Sequence, residues 1–183
     1  PWDEWITEDG KFTVTGKSVK SKLHSVPDCQ SIVKKAVVEK LKTKYGTSWF
    51  KEDGPSFTIL VSLLKDVATL TIDSSGAGLH KRGYRKMAVE APLKETLAAA
   101  IIQLSFWKTG RLLFDPFCGS GTIPIEAAMI GMNMAPGLKR TFASESWPRI
   151  GPDIWKTARE KALSDIDSQA APAIYASDRD SNA

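Results

Sequence analysis

The residues with the most chemical potential stand together at Asp115-Pro116-Phe117-Cys118-Gly119-Ser120-Gly121-Thr122-Ile123-Pro124-Ile125-Glu126. Leu112-Leu113-Phe114 before them is a short, continuously apolar run that reads as a buried strand, and Thr122 to Ile130 reads as a helix stopping at Gly131. Glycines between a buried strand and a helix let backbone N–H groups approach a ligand closely. The first amides of the helix offer donors to an anionic group. A carboxylate at the strand end, Asp115, accepts from an ammonium or a hydroxyl. The pattern suits a ligand that carries both charges.

Three nucleotide-type ligands compete for such a loop. A Walker-type phosphate loop needs Lys and then Ser or Thr after its last glycine, and Gly121 is followed by Thr122-Ile123, which excludes it. A dinucleotide fingerprint needs Gly or Ala three residues after Gly121, where Pro124 stands. S-adenosyl-L-methionine remains: its methionine part has an ammonium and a carboxylate, and its ribose needs an acidic residue at the end of the next strand. Ala173-Ile174-Tyr175-Ala176 reads as that strand, and Asp178 follows it. Cys118 at a helix start is read as a small packed residue. His24 and His80 lack neighbours at metal spacing, so no metal site is expected.

The elements that must hold this loop form an α/β pattern of strand, glycine loop, helix, long excursion, helix (Asp153 to about Leu163) and strand. Ahead of it, Ala91 to Ser105 reads as an amphipathic helix with Leu93, Leu97, Ile101 and Leu104 on one face and Pro92 in the first turn. Gly76 to Arg85 is glycine-punctuated and basic and reads as a linker or functional loop, with His80, Lys81, Arg82 and Arg85 placed to touch phosphate or to position the loop beside the cofactor. The region before it reads as a small α+β unit. Phe12-Thr13-Val14 alternates like a strand, a helix follows Pro27-Asp28 and stops at Gly46, and residues 57–64 and 67–72 read as a hairpin.

Composition fits two small domains. The chain has 183 residues and 20.0 kDa, with 42% hydrophobic and 25% charged residues, which supports a folded core. Two distant cysteines, Cys29 and Cys118, make no disulfide framework, and a reducing cytoplasm is the default expectation. No apolar run approaches the ~18 residues a membrane span needs. The net charge of +4 is unevenly spread: residues 11–51 hold ten lysines against Asp28 and Glu39. Lys17, Lys20, Lys22, Lys34 and Lys35 in that stretch suit a polyanion, because clustered cations displace its counterions.

The loop D-P-F-C-G-S-G-x-x-x-I-E, with H-K-R-G-Y-R and A-P-L-K-E-T-L-A-A-A upstream of it, resembles the THUMP-containing class I methyltransferases. That family includes bacterial 23S ribosomal RNA guanine-N2 methyltransferases, often labelled as N6-adenine-specific DNA methylases. The resemblance implies a partial THUMP RNA-binding domain over residues 1–75 and a basic linker over 76–90. Residues 91–183 would be the start of a Rossmann-like methyltransferase domain, with an insertion at about 132–170. It implies that Asp115, Pro116, Phe117, Cys118, Gly119 and Gly121 form the S-adenosyl-L-methionine loop, that Asp178 holds the ribose hydroxyls with Asp180 as second candidate, and that Ala91-Pro92-Leu93 borders the methionine end. It raises the lysines named above as RNA contacts. The implied activity is guanine-N2 methylation of ribosomal RNA. An N6-adenine DNA enzyme and a transfer-RNA guanine-N2 enzyme stay open, as does a non-catalytic RNA-binding fragment.

The family's catalytic Asn/Asp-Pro-Pro-Tyr/Phe motif does not occur in these residues, so no catalytic residue is named and the chain is expected to be part of a longer polypeptide. Two parallel strands with one crossover leave apolar faces uncovered. A second polypeptide, a swapped copy or further chain is expected to complete the sheet.

Overall fold

A computed structural model describes residues 2–85 and 92–180. The chain forms two compact units, Pro1–Gly76 with Phe142–Pro152, and Ala77–Thr141 with Asp153–Ala183.

In the first unit, β1 (Lys11–Val19), α1 (Val26–Tyr45) and β2 (Ser56–Leu64) make a strand-helix-strand crossover, with β1 and β2 parallel from Lys11↔Ser56 to Val19↔Leu64. β1 runs well beyond the expected Phe12-Val14, because the sheet pairing carries Gly16, Lys17 and Ser18 despite their weak strand preference. Gly16 has a packing reason: a Cβ there would sit 3.0 Å from Val26 Cγ1 and 3.1 Å from Val61 Cγ1, so a larger residue would push these side chains aside where α1 lies close to the strand. β3 (Val67–Ile72) pairs antiparallel to β2, as the hairpin pattern predicts. Its turn lacks glycine, yet Lys65 and Asp66 both have positive φ, 50° and 65°. The turn is held from outside: Asp66 accepts from the Lys22 N–H at 2.6 Å, and its own N–H donates to Ser21 Oγ at 3.0 Å.

The core of this unit joins Phe12, Val37, Leu41, Phe57, Ile59 and Ile6. Trp147 completes it. Its indole stacks on Phe57 with centroids 5.1 Å apart, meets Trp5 edge-on at 6.0 Å, and donates Nε1–H to the Ser56 carbonyl at 3.1 Å. Trp147 is core, 3% exposed.

In the second unit, β4 (Leu113–Asp115) and β5 (Ile174–Ala176) pair in parallel, Asp115 opposite Ala176, with α3 (Thr122–Gly131) following β4. α4 (Pro152–Ser164) precedes β5. α2 (Glu95–Leu104) packs on α3. Two expectations for this helix are corrected. It begins at Glu95, with Lys94 extended at the N-cap, so Pro92 stands before the helix and not in its first turn. Its buried face is Glu95, Ala98 and Ile102, while Leu97, Ile101 and Leu104 are 51%, 42% and 76% exposed. Small Ala98 permits the close approach to α3, and apolar residues on both the packed and the open side of the helix leave no single stripe for periodicity to find. Phe114 and Tyr175 on the short sheet are also open, at 64% and 63%.

Candidate cofactor site

The loop between β4 and α3 is tied to the end of β5 by backbone bonds. The Ser177 N–H donates to the Asp115 carbonyl at 2.9 Å, and the Cys118 N–H donates to the Ser177 carbonyl at 3.0 Å. The Gly121 N–H closes a turn on the Cys118 carbonyl at 2.9 Å. Gly119 and Gly121 have φ of 51° and 72°, the left-handed region in which side chains are strained. A Cβ at Gly119 would meet nothing within 4 Å, so the glycine is fixed by backbone conformation, and the space over it stays open. Gly121 is the N-cap of α3, and among the described residues no side chain caps this helix. Its first amides are therefore available to an anionic group.

Asp115 lies half-buried at the end of β4, where its Oδ1 accepts from the Phe117 N–H at 3.2 Å. Asp178 lies across from it, exposed, and its Oδ2 accepts from the Gly119 N–H at 2.7 Å while Oδ1 accepts from the Asp180 N–H at 2.9 Å. These backbone donors, Asp180 first and Gly119 second, hold the Asp178 carboxyl below the ordinary carboxylate value. Each oxygen keeps a further lone pair for a ligand hydroxyl. Asp180 and Pro116 are exposed, Phe117 is 82% exposed beside the loop, and Cys118 is half-buried with a free thiol. Pro92 and Leu93 precede α2, and Ala91 lies outside the described residues. The loop residues and Asp178 thus lie together at the ends of β4 and β5.

The basic residues divide. Lys17 on β1, Lys20 and Lys22 in the following turn, and Lys34 and Lys35 on α1 are all exposed, with Lys34 Nζ 5.8 Å from the Phe12 ring centroid. Lys81 is exposed and His80 half-buried. Of the two roles expected for Arg82 and Arg85, facing phosphate does not fit, because internal acids take up their guanidiniums. Arg82 pairs with Glu126 at 3.4 Å, their side chains 11% and 3% exposed, and also donates to the Leu79 carbonyl at 3.1 Å. Arg85 Nε donates to Glu95 at 3.1 Å, and its terminal nitrogens reach Ser120 Oγ at 3.3 Å and Thr122 Oγ1 at 2.8 Å.

Sequence reasoning missed the acids of this network. Glu126 sits on the buried side of α3 and accepts from the Tyr84 hydroxyl at 3.1 Å as well as from Arg82. Burial first, and then the Glu126 charge, push the Tyr84 phenol far above its usual value, so it stays a donor. A lone carboxylate within Thr122-Ile-Pro-Ile-Glu126-Ala-Ala was the available signal, since an acid in an apolar helix face demands partners. Arg140, 9% exposed, donates to the backbone carbonyls of Ala77 and Gly78, the latter at 2.9 Å. Gly83, φ 88°, lies against the Lys139 carbonyl where any Cβ would collide. Residues 77–85 are in this way strapped onto the second unit. Among the described residues no cluster of His, Cys, Asp or Glu could hold a metal ion, and no helix is long and apolar enough to cross a membrane.

A THUMP domain matches residues 1–73, and an RMKL-like methyltransferase domain matches residues 82–183. The chain is 56% identical over 181 residues to the candidate RNA methyltransferase YpsC of Bacillus subtilis (strain 168), covering 98% of this chain and 47% of that protein. It is 38% identical over 165 residues to the ribosomal RNA large subunit methyltransferase K/L of Psychromonas ingrahamii, covering 88% of this chain and 22% of the other. Among solved structures, SMU.472 complexed with SAH superposes with a TM-score of 0.90 at 46% identity, covering 98% of this chain and 48% of that one. The chain therefore spans about half the length of YpsC or less of the other curated relative. On the match of residues 82–183, preceded by a THUMP domain, the chain belongs to the RMKL-like methyltransferase-domain family.

Proposed function

We propose that the loop Asp115–Gly121 with Asp178 binds S-adenosyl-L-methionine, and that the protein of which this chain forms part methylates RNA. The observation that carries the reading is the convergence of an uncapped α3 N-terminus, the left-handed glycines and two carboxylates on one loop. In this reading the α3 amides hold the methionine carboxylate, Asp115 accepts from its ammonium, and Asp178 accepts from the ribose hydroxyls while keeping its bond to Gly119. The SAH complex of SMU.472, a relative in fold and sequence, supports this choice of ligand.

The finer reading is guanine-N2 methylation of 23S ribosomal RNA in the cytoplasm. The THUMP match, the ribosomal RNA name carried by the K/L relative and the open lysines of the first unit support RNA over DNA. The cofactor part is tested by titrating the 183-residue chain with S-adenosylhomocysteine: saturable binding is expected, weakened at least tenfold by Asp115→Ala. Unchanged affinity in that variant overturns the loop assignment. The acceptor part is tested with the complete gene product, methyl-labelled cofactor and nucleoside analysis of 23S ribosomal RNA. N2-methylguanosine is expected, and label in N6-adenine of DNA with none in RNA overturns it.

A further inference from the structure

The guanidinium of Arg85 occupies an unusual place. It stands against the cofactor loop without facing open solvent, its side chain 21% exposed and that of its acid partner Glu95 7%. Its three nitrogens serve two separate pieces of chain. Nε bonds Glu95, the first residue of α2, at 3.1 Å, and Nη2 reaches the Leu93 carbonyl just before it at 3.4 Å. Nη1 donates to Ser120 Oγ at 3.3 Å and Nη2 to Thr122 Oγ1 at 2.8 Å, the hydroxyls on either side of Gly121. Ser120 and Thr122 oxygens lie 3.4 Å apart, close enough to bond each other as well.

We infer that Arg85 is a positioning residue for cofactor binding, acting through Ser120 and Thr122 to fix the amides of the loop before the ligand arrives. The inference rests on the cofactor reading given above. The physical need is plain. Gly119 and Gly121 give the loop its left-handed turns and the approach to a ligand, yet glycine also gives it the most freedom to leave that conformation. No side-chain cap restrains the start of α3. A flat fork with donors in fixed directions can hold two hydroxyls at once, which a lysine ammonium cannot do in the same geometry. Glu95 in turn fixes the fork: a buried carboxylate facing a half-buried guanidinium keeps Arg85 from swinging out to solvent. Holding the loop in its binding geometry removes an ordering cost that the ligand would otherwise bear.

The same chain of contacts explains why the hydroxyls stand where they do. Thr122 is 3% exposed, the first residue of α3, and its Oγ1 accepts from Arg85 at 2.8 Å. The cap position before it is Gly121, which has no side chain, so the first α3 amides remain open for the cofactor.

The test is a double-mutant cycle on S-adenosylhomocysteine affinity in the 183-residue chain, with Arg85→Gln, Thr122→Val and the two combined, plus Asp115→Ala as a control. Each single variant is expected to bind at least tenfold more weakly, and the combination no more weakly than the worse single, because both break one linkage. Hydrogen exchange in the ligand-free chain supplies a readout that loss of general stability does not reproduce. Amides of 119–122 are expected to exchange faster in both variants, with β4 and the middle of α3 unchanged. If Arg85→Gln fails to fold, the isosteric Thr122→Val carries the same two readouts by itself. Wild-type affinity in the Arg85 and Thr122 variants, with Asp115→Ala still impaired, overturns the positioning role and leaves the cofactor reading standing. Additive losses in the cycle also overturn it, since they mean that the two side chains act separately. No binding of the probe to the wild-type chain overturns the cofactor reading and this inference with it.

Discussion

Asp178 supplies the loop with both a fixed shape and a fixed charge. Its two oxygens accept backbone N–H groups from Asp180 and from Gly119, 59 residues earlier, so one carboxylate staples the end of β5 to the glycine loop. The charged form makes these bonds, which is why the carboxyl lies below its ordinary value. A folded-state value depressed below the unfolded ~3.9 means that the contribution is complete above the unfolded value and is lost only as pH falls through the folded one. Cofactor affinity is therefore expected to be flat between about pH 5 and pH 8 as far as Asp178 is concerned. Asp178→Asn, which sets an amide against one of the two N–H donors, should weaken S-adenosylhomocysteine binding about tenfold across that window. A binding titration with a midpoint near neutrality that Asp178→Asn removes would contradict this. Asp115, the glycines and Asp178 were legible in the sequence because each occupies a position dictated by the chain: strand end, left-handed turn, next strand end. For Arg82 and Arg85 the sequence left phosphate contact and loop positioning both open, because a basic run looks the same facing water or facing Glu126 and Glu95. Only the fold brings together acids lying 44 and 10 residues away.

Among the elements, legibility followed the strength of local signals. α1, β2, β3, α3 and β5 occupy the spans that periodicity and turn residues mark, within a few residues at their ends. β1 was underestimated because its second half earns its place through nine register pairs with β2, a non-local cause. α2 was placed on the wrong face because Leu and Ile on its open side outnumber Ala98 and Ile102 on its packed side. The segment Phe142–Pro152 carries the largest surprise. Its short 3-10 turn, Ala143–Ser146, is fixed by Ser144 Oγ donating to the Ser74 carbonyl at 2.9 Å and by Glu145 accepting from the Phe142 N–H at 2.9 Å. This delivers Trp147 into the first unit's core, where Arg149 adds a cation over the Trp5 ring at 4.5 Å. Trp147→Ala is expected to destabilise the first unit by about 3–5 kcal/mol, the range for truncating a buried aromatic. Denaturant unfolding followed by the remaining tryptophans measures it. A loss below about 1 kcal/mol would mean that the indole covers the core without packing into it.

At the scale of the whole chain, apolar surface and charge are both unevenly placed. The second unit leaves Leu97, Leu104, Phe106, Leu112, Phe114 and Tyr175 each more than half exposed, and its described sheet is two three-residue strands. A two-stranded sheet this short is marginal without cover on its faces. The 183-residue chain is expected to self-associate in solution, with light scattering giving a mass at a multiple of 20.0 kDa. A monodisperse monomer at 20.0 kDa would contradict that.

The return of residues 142–152 to the first unit bears on how such a protein could be rearranged during evolution. A THUMP match ending at residue 73 invites the view that an RNA-binding cassette can be copied from gene to gene by cutting just after it. Here that cut would carry away Phe57 and leave behind the indole stacked upon it, because the completing residue is encoded downstream, beyond the glycine loop. Recombination at that boundary would yield an unfinished core. The two units are therefore expected to be inherited together, as one hereditary piece, and a chimera that keeps the fold of the first must bring Trp147 with it.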